Sequence, residues 1–529
     1  MATQPTTTTI QLTPKEVQLK NLLLDVAKYV DSSRGASEEP VVLRWAGGWV
    51  RDRLLGIESH DIDTAINVMT GEAFALKICE LCETPETIAK HSISQSDIGN
   101  LHKIAKNPDK SKHLETTTIK LFGYDVDFVN LRKETYTDDS RNPTMEFGTA
   151  EEDALRRDAT INALFYNLNT DKVEDFTTGL QDMESKLIRT PMEPLQTFTD
   201  DPLRVLRLVR FASRLGFAID SSVEEVMGDA QVLKALKLKI SRERVGVELE
   251  KMLKGNDPRK SLEYINDLGL YHTIFTDPTQ KDMPSPELID WHKAYGCLAF
   301  LSQNNTPGSI YSTLVRTNEA RYYAWVLAAV SPWARFTESE QKSDKKEKAK
   351  ARLPLPTLAV REGIRAPTKL CDLVTAAYKN REDVMSLKKA VVSKEPYINE
   401  RDRFGMAIRR WDSRVGHWRL QVMFALVVEA MQRWSLQPLS SASNDEFLGE
   451  WQLFLDHLQE LDVMEAPSLS KIIDGTQLAK ALGLKPGRWM TKALDVCVAW
   501  QLRNPDEVDP EGAVREVDKR RKELDLPEK

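Results

Sequence analysis

The spacing of apolar residues changes once along this chain, near Leu195, and that change limits the folds open to it. Ahead of it, strand-like and helix-like stretches follow one another. Residues 41–46 form a short apolar run ending at Gly47-Gly48, and residues 49–55 place Val50, Leu54 and Leu55 on one side of a helix. Asp61–Ile66 and residues 123–131 alternate polar and apolar residues, as half-buried strands do. Beyond Leu195 the spacing is helical almost to the end. Leu203, Leu206, Val209 and Phe211 define one face, and Val245, Leu249 and Leu253 another. Further helices are expected at 287–301, 318–328, 370–378, 418–434 and 447–461. The fold class is therefore α+β: a mixed β-sheet with helices, followed by an all-α remainder. Residues 131–155 carry Asp138, Asp139, Asn142, Pro143 and Gly148 and read as a long mobile loop. Breaker-rich stretches at 276–286, 331–356 and 437–444 are the expected joints.

A chain of 529 residues exceeds what one core covers, so several packed units are expected. No apolar run approaches the roughly 20 residues that cross a bilayer, so no membrane association is expected. The start is Thr-rich, lacks the basic flank and apolar core of a secretory signal, and has no arginine before Arg34. An intracellular protein of the cytoplasm, nucleus or mitochondrion is expected. Cys79 and Cys82 form a lone CxxC on an amphipathic stretch, which reads as structural. The net charge of −7 does not exclude a polyanion partner, because the local field decides binding. Positive charge gathers at Arg204, Arg207, Arg210 and Arg214, and again at 342–352, where mixed Lys and Glu read as a solvated segment.

Asp61 and Asp63 lie two apart on an expected strand, so both carboxylates project from one face. Two converging carboxylates can hold the Mg²⁺ ions of an in-line nucleotidyl transfer. Just upstream, Gly47-Gly48 closes a strand and opens a helix, where backbone amides can approach a phosphate without Cβ obstruction. Arg51 falls on the first turn of that helix, within reach of the same anion, and Asp52 can orient the turn. Asp127 lies on the next strand; Asp125 projects from the same face, so alternation alone does not separate the two.

RWAGGWVRDRLLG at 44–56, followed by DIDTA at 61–65, resembles motif A of class II tRNA nucleotidyltransferases, the CCA-adding enzymes of the DNA polymerase beta superfamily. RRDATINA at 156–163 resembles their motif B, DFTTGLQD at 175–182 motif C, DDPLR at 200–204 motif D and SRERVGVEL at 241–249 motif E. The resemblance implies a eukaryotic-type enzyme with a nucleotidyltransferase head at 1–194, a base-reading neck at 195–275, a helical body at 276–436 and a tRNA-binding tail at 437–529. It implies Asp61, Asp63 and Asp127 as catalytic residues, with Asp61 and Asp63 holding the metal. It further implies nucleotide contacts from Gly47, Gly48, Arg51, Arg157, Asp158, Asn162, Asp201, Arg204, Arg207 and Arg210.

The residue types fit those roles. Arginine forks onto phosphate oxygens, and Asp158 can accept a ribose 2′-hydroxyl, with Asn162 on the same helical face four residues on. Asp201 and Arg204, three apart at a helix start, would offer an acceptor beside a donor fork. Cytosine and adenine complement that pair, whereas uracil and guanine do not. Glu243, Arg244 and Glu248 read as ion-pairing residues among the neck helices, and Trp45, Trp49 and Trp489 as packing residues. Near the end, LGLKPGRW at 482–489 resembles the family's tail, where Lys485 and Arg488 suit RNA backbone contact.

The implied reaction takes CTP twice and then ATP, extends the 3′ end of tRNA by CCA and releases pyrophosphate. Its partners would be tRNA, CTP and ATP, with no obligate protein partner. Residues 133–154 are expected to help the pocket change from C to A. Motifs A to E leave room for a poly(A) polymerase, a partial CC- or A-adding enzyme, or a silent RNA-binding relative.

Overall fold

The computed structural model describes residues 9–35, 37–94, 97–99, 102–103, 117–137, 140–276, 284–336, 353–413, 416–435 and 442–526. The chain divides into two compact units, Met1–Asp257 with Leu268–Thr273, and Pro258–Asp267 with Ile274–Lys529.

The first unit opens with α1 (Pro14–Ser32), set by a capping box between Thr13 and Glu16 and by Pro14 in the first turn. There follow β1 (Leu43–Ala46), α2 (Gly48–Leu54), β2 (Asp61–Ile66), α3 (Gly71–Cys82), α4 (Pro85–His91), β3 (His102–Lys103), β4 (Thr117–Leu121) and β5 (Tyr124–Asn130). Next come β6 (Arg132–Thr137), β7 (Ser140–Phe147), α5 (Ala150–Leu155), a 3₁₀ turn at Thr160–Asn162, β8 (Phe165–Asn167), β9 (Lys172–Glu174), α6 (Gly179–Glu184) and β10 (Leu187–Ile188). The rest is α7 (Pro194–Asp200), α8 (Leu203–Leu215), β11 (Ala218–Ile219), α9 (Ser221–Met227), α10 (Ala230–Lys239) and α11 (Arg242–Lys254).

Seven strands form one mixed sheet in the order β3-β4-β5-β2-β1-β8-β9. Only β2 and β5 run parallel; the other neighbours are antiparallel. Leu19, Leu22 and Val26 of α1, Trp45, Trp49, Ile62, Phe74 and Phe128 fill the core on one side of that sheet. Trp45 and Trp49 meet edge to face with ring centroids 4.6 Å apart, and their role is packing. The cysteines of the CxxC are free thiols; burial raises both, Cys82 to about 11, which suits packing.

The stretch expected as one long loop is not a loop. β6 and β7 pair as an antiparallel hairpin from Arg132↔Phe147 to Thr137↔Ser140, and a Thr149/Glu152 capping box then starts α5. The sequence RKETYT…SRNPTMEF has no apolar alternation, and the two strands pair with each other as a separate sheet outside the seven-stranded one. Pro143 within β7 is tolerated because a two-stranded ribbon has only edge strands.

Among the described residues the second unit contains helices and no strand. Its centre is the helix Trp418–Arg433, packed against Thr368–Val392, Trp291–Ser302 and Asn318–Val330. The helix expected over 370–378 runs to Val392, since Val384, Leu387, Ala390 and Val391 continue the buried face beyond a charged interruption. Toward the end, Leu478, Leu482, Trp489, Cys497 and Val517 form a separate small core. The expected joints fall largely outside the described residues, and 342–352 falls wholly outside them. No helix among the described residues is long and apolar enough to cross a membrane.

Candidate active site

The chain leaves β1 at Ala46, turns at Gly47 and enters α2 at Gly48. Gly47 has φ +67°, and a Cβ there would lie 2.8 Å from Arg157 Nη1 and 3.7 Å from Asp63 Oδ2. Its positive φ requires glycine, and a side chain there would also displace the tip of Arg157. The Gly47 amide donates to Leu164 O at 3.1 Å, so the free amides at this turn are those that open α2.

β2 and β5 turn Ile62, Thr64, Val126 and Phe128 inward and their aspartates to the opposite face. The parallel register sets Asp61 beside Asp125 and Asp63 beside Asp127. Neighbours therefore separate the two aspartates of β5. Asp127 adjoins Asp63 and accepts a hydrogen bond from Thr118 Oγ1, whereas Asp125 lies opposite Lys120. Asp63 keeps solvent access, yet the protein atoms crowded around it push its carboxyl above the usual range. Arg157 opposes that shift, and Asp127, Asp61 and Asp153 add to it. A carboxylate beside others of its own charge, in partly dry surroundings, is a place that a cation would stabilise. Among the described residues no three Asp, Glu, His or Cys side chains converge to hold a metal ion. Asp61, Asp63 and Asp127 place hard oxygen donors on this one strand face.

The RRD segment ends a helix instead of starting one. Arg156 caps α5, Ala159 is extended, and only Thr160–Asn162 turn again, so no helix joins Asp158 to Asn162. The two side chains nevertheless meet, Asn162 Nδ2 donating to Asp158 Oδ1 at 3.1 Å. Asn162 Oδ1 accepts from Arg51 Nη1 at 2.5 Å, and Asp158 Oδ2 from Arg207 Nε at 2.5 Å. Asp158 is buried, which raises its pKa, but Arg207, Asn162 and Arg204 outweigh this and hold it down to about 2. Arg157 stands on Phe165, 5.0 Å from the ring centroid, and donates to Asn162 O at 3.0 Å.

On the helical side, α8 carries Arg204, Arg207, Arg210 and Arg214. Arg207 reaches Asp158, and Arg210 Nε donates to Glu248 of α11 at 2.6 Å. Asp201 does not sit on the helix with Arg204; it closes α7, and its Oδ1 accepts from the Leu203 amide at 3.2 Å. Its Oδ2 accepts from Arg244 Nη2 at 3.4 Å. Arg204 is buried, with its fork donating to Arg156 O at 2.6 Å and Thr197 O at 3.4 Å. The structure thus brings Gly47, Asp63, Arg157, Asn162, Arg51, Asp158 and Arg207 into one contiguous set, with Asp61 and Asp127 on the adjoining strand face. It leaves Asp201 and Arg204 engaged with other partners.

Sequence reasoning passed over Asp153, which accepts from Arg156 Nε at 2.9 Å and from Arg157 Nε and Nη2 at 3.1 and 2.9 Å. The signal was present: an acid three and four residues before two arginines at a helix end. It also left Arg214 without a partner, whose Nη2 reaches Asp52 Oδ2 at 3.1 Å and ties α8 to α2.

Residues 43–189 match the family described as the poly(A) polymerase head domain, and residues 216–283 one described as the probable RNA and SrmB-binding site of polymerase A. By fold and site the chain is of the nucleotidyltransferase class. Over 95% of its length it is 37% identical to a mitochondrial CCA tRNA nucleotidyltransferase of Candida glabrata, covering 95% of that protein. The corresponding Saccharomyces cerevisiae protein is 36% identical over 95% of this chain and 92% of its own. Nucleotidyltransferase lcsQ of Purpureocillium lilacinum is 54% identical, with 98% of this chain and 93% of that protein covered. The chain belongs to the CCA tRNA nucleotidyltransferase family. The fold is that of the Thermotoga maritima CCA-adding enzyme solved with tRNA, at a TM-score of 0.59 and 21% identity over 96% of both chains.

Proposed function

We propose that this protein adds C, C and A to the 3′ end of tRNA from CTP and ATP, without a nucleic-acid template, releasing pyrophosphate at each step. The observation that carries the reading is the in-register Asp63–Asp127 pair, with Asp63 and Arg157 both close to the Gly47 turn and the Arg157 charge acting on Asp63. Family membership supplies the substrates: the yeast relatives are named for tRNA, and similar folds were solved with CTP and with ATP.

Asp61 and Asp63 would hold Mg²⁺, whose chemistry is to lower the pKa of the attacking 3′-hydroxyl and to neutralise the triphosphate. Asp127 supports that pair through the carboxylate field it shares with Asp63. Gly47 and Gly48 let the triphosphate approach the amides that open α2, and Arg51, Arg157, Arg207 and Arg210 orient it by charge. Asp158 and Asn162 take the ribose side, where an acceptor for the 2′-hydroxyl favours ribonucleotides. Base choice is assigned to Asp201 with Arg204, which requires Arg204 to exchange the carbonyls of Arg156 and Thr197 for the base. The division into head at 1–194, neck at 195–275, body at 276–436 and tail at 437–529 belongs to the same proposal, as does RNA contact by Lys485 and Arg488. So does an intracellular location in cytoplasm, nucleus or mitochondrion, which the mitochondrial names of two relatives support.

Single-nucleotide mapping of an unprocessed tRNA incubated with Mg²⁺ and all four NTPs tests the reading. Growth by C, C and A alone is expected. A long A tail would make the protein a poly(A) polymerase, growth that stops after C or after A alone a partial enzyme, and bound but unextended tRNA a silent relative.

A further inference from the structure

Phe211 of α8 has no role in the reaction described above, yet three arginines of the site gather around it. Its ring is 3% exposed, too deep to stack on a base. Three guanidinium carbons surround it: Arg210 at 4.5 Å from the ring centroid, Arg207 at 5.4 Å and Arg51 at 5.7 Å. All three lie within the roughly 6 Å over which an aromatic ring attracts a cation. Each arginine also has a carboxylate of its own: Asp52 for Arg51, Asp158 for Arg207 and Glu248 for Arg210. Three like charges gathered at one point repel, and the three carboxylates offset that repulsion one by one.

The ring contributes something the carboxylates cannot. A carboxylate fixes a guanidinium by consuming N–H donors, whereas an aromatic face attracts the cation and leaves its donors free. Arg207 and Arg210 each give Nε to their carboxylate, and among the described residues no terminal nitrogen of either donates a hydrogen bond. Those outer nitrogens form the end of the fork that suits a phosphate.

We propose that Phe211 is a positioning residue, a buried platform that spaces Arg51, Arg207 and Arg210 so that the charge of all three and the free donors of Arg207 and Arg210 converge on the phosphates of the incoming nucleotide. This rests on the nucleotide-binding reading given above. Because the ring acts through arginines and not through the base, CTP and ATP depend on it equally.

The test is to measure KM and kcat for CTP and ATP, together with thermal midpoint, in Phe211→Leu and in full-length protein with phenylalanines of increasing fluorine content at position 211. Leucine keeps an apolar side chain and loses the π face. Fluorination keeps the shape and drains the face of its negative potential. About a tenfold rise in KM for both nucleotides is expected with leucine, with a smaller change in kcat. A stepwise rise in KM with fluorine count, at a steady thermal midpoint, is expected in the second series. A KM indifferent to fluorine, or one that changes for ATP but not for CTP, overturns the proposal. Wild-type protein that incorporates neither nucleotide overturns the functional reading as well; a flat fluorine series beside an active wild type overturns this inference alone.

Discussion

At the scale of single residues, the site is a small set of charges whose neighbours decide what each can do. Asp63 carries the sharpest consequence. It faces Asp127 across the parallel pair, and its carboxyl lies above the usual range because burial and its acidic neighbours disfavour its charge. A cation relieves that penalty, and an amide at this position removes the reason to bind one. Asp63→Asn is expected to lower kcat for nucleotide addition by about 10²–10³-fold or more, the size of loss seen when a group that stabilises developing charge is removed. Circular dichroism and the thermal midpoint should stay near wild type, since the side chain lies on the solvent face of β2. A kcat within threefold of wild type, a barrier change under about 0.7 kcal/mol, would remove Asp63 from the chemistry. Much of this set was legible in the sequence, because alternation on a strand fixes which residues share a face and Gly-Gly marks a close approach. The choice between Asp125 and Asp127 was not legible, since it depends on Thr118 and Lys120, which pairing across β4 brings alongside. Nor was the engagement of Arg204 with backbone carbonyls, because i,i+3 spacing states which face a side chain occupies and not which acceptor reaches it first.

At the scale of elements, the differences from expectation share one cause. The hairpin β6–β7 and the non-helical passage from Arg156 to Ala159 are both held by hydrogen bonds that leave no hydrophobic period. Asp153 joins them: besides Arg156 and Arg157 it accepts from the Arg132 amide at 3.4 Å, at the base of β6. The hairpin is thereby tied to Arg157, one carboxylate away from the Gly47 turn. An element anchored at its base to the arginine beside the Gly47 turn can bias the site from a distance. Replacing 135–144 by a tight turn keeps the Arg132↔Phe147 end of the ribbon and is expected to slow A addition by about tenfold while leaving C addition within about threefold. Single-turnover assays on tRNA ending in CC and on tRNA lacking all three nucleotides measure the two steps separately. Equal rates for A and C in the shortened protein would deny the hairpin any part in the change of nucleotide.

At the scale of the whole molecule, the units rest on different kinds of interaction. The first surrounds a sheet with an apolar core and ties α8 back to the sheet side through Arg207–Asp158 and Arg214–Asp52. The second sets an ionic cluster among three helices. Lys388, almost fully buried on Thr368–Val392, donates to both oxygens of Glu429 at 3.1 and 3.2 Å and also reaches Glu450. Arg433 forks onto Glu450 at 2.5 and 2.9 Å, and Trp451 Nε1 donates to Glu429 at 2.8 Å. Two acids and two bases balance, which is the condition for burying such a group without an unpaired charge. The Arg433 hydrogen bonds and the Lys388 charge hold Glu450 down to about 2 from an ordinary 4.5, against the burial that would raise it. A depressed folded-state pKa means that this stabilisation is complete above pH 4.5 and is lost as pH falls toward about 2. Glu450→Gln removes one negative partner and leaves Lys388 and Arg433 sharing Glu429. The variant should therefore be less stable than wild type by about 1–3 kcal/mol at neutral pH, the cost of removing one partner of a buried hydrogen-bonded group. As the pH approaches 2 the wild-type carboxylate is itself protonated, so the gap between the two proteins should close. Urea unfolding of both at neutral pH and near pH 2 measures that gap directly, because carboxylates common to the two proteins cancel in the difference. A gap of equal size at both pH values would show that Glu450 acts by shape alone and that its ion pairs with Arg433 and Lys388 add nothing to the fold.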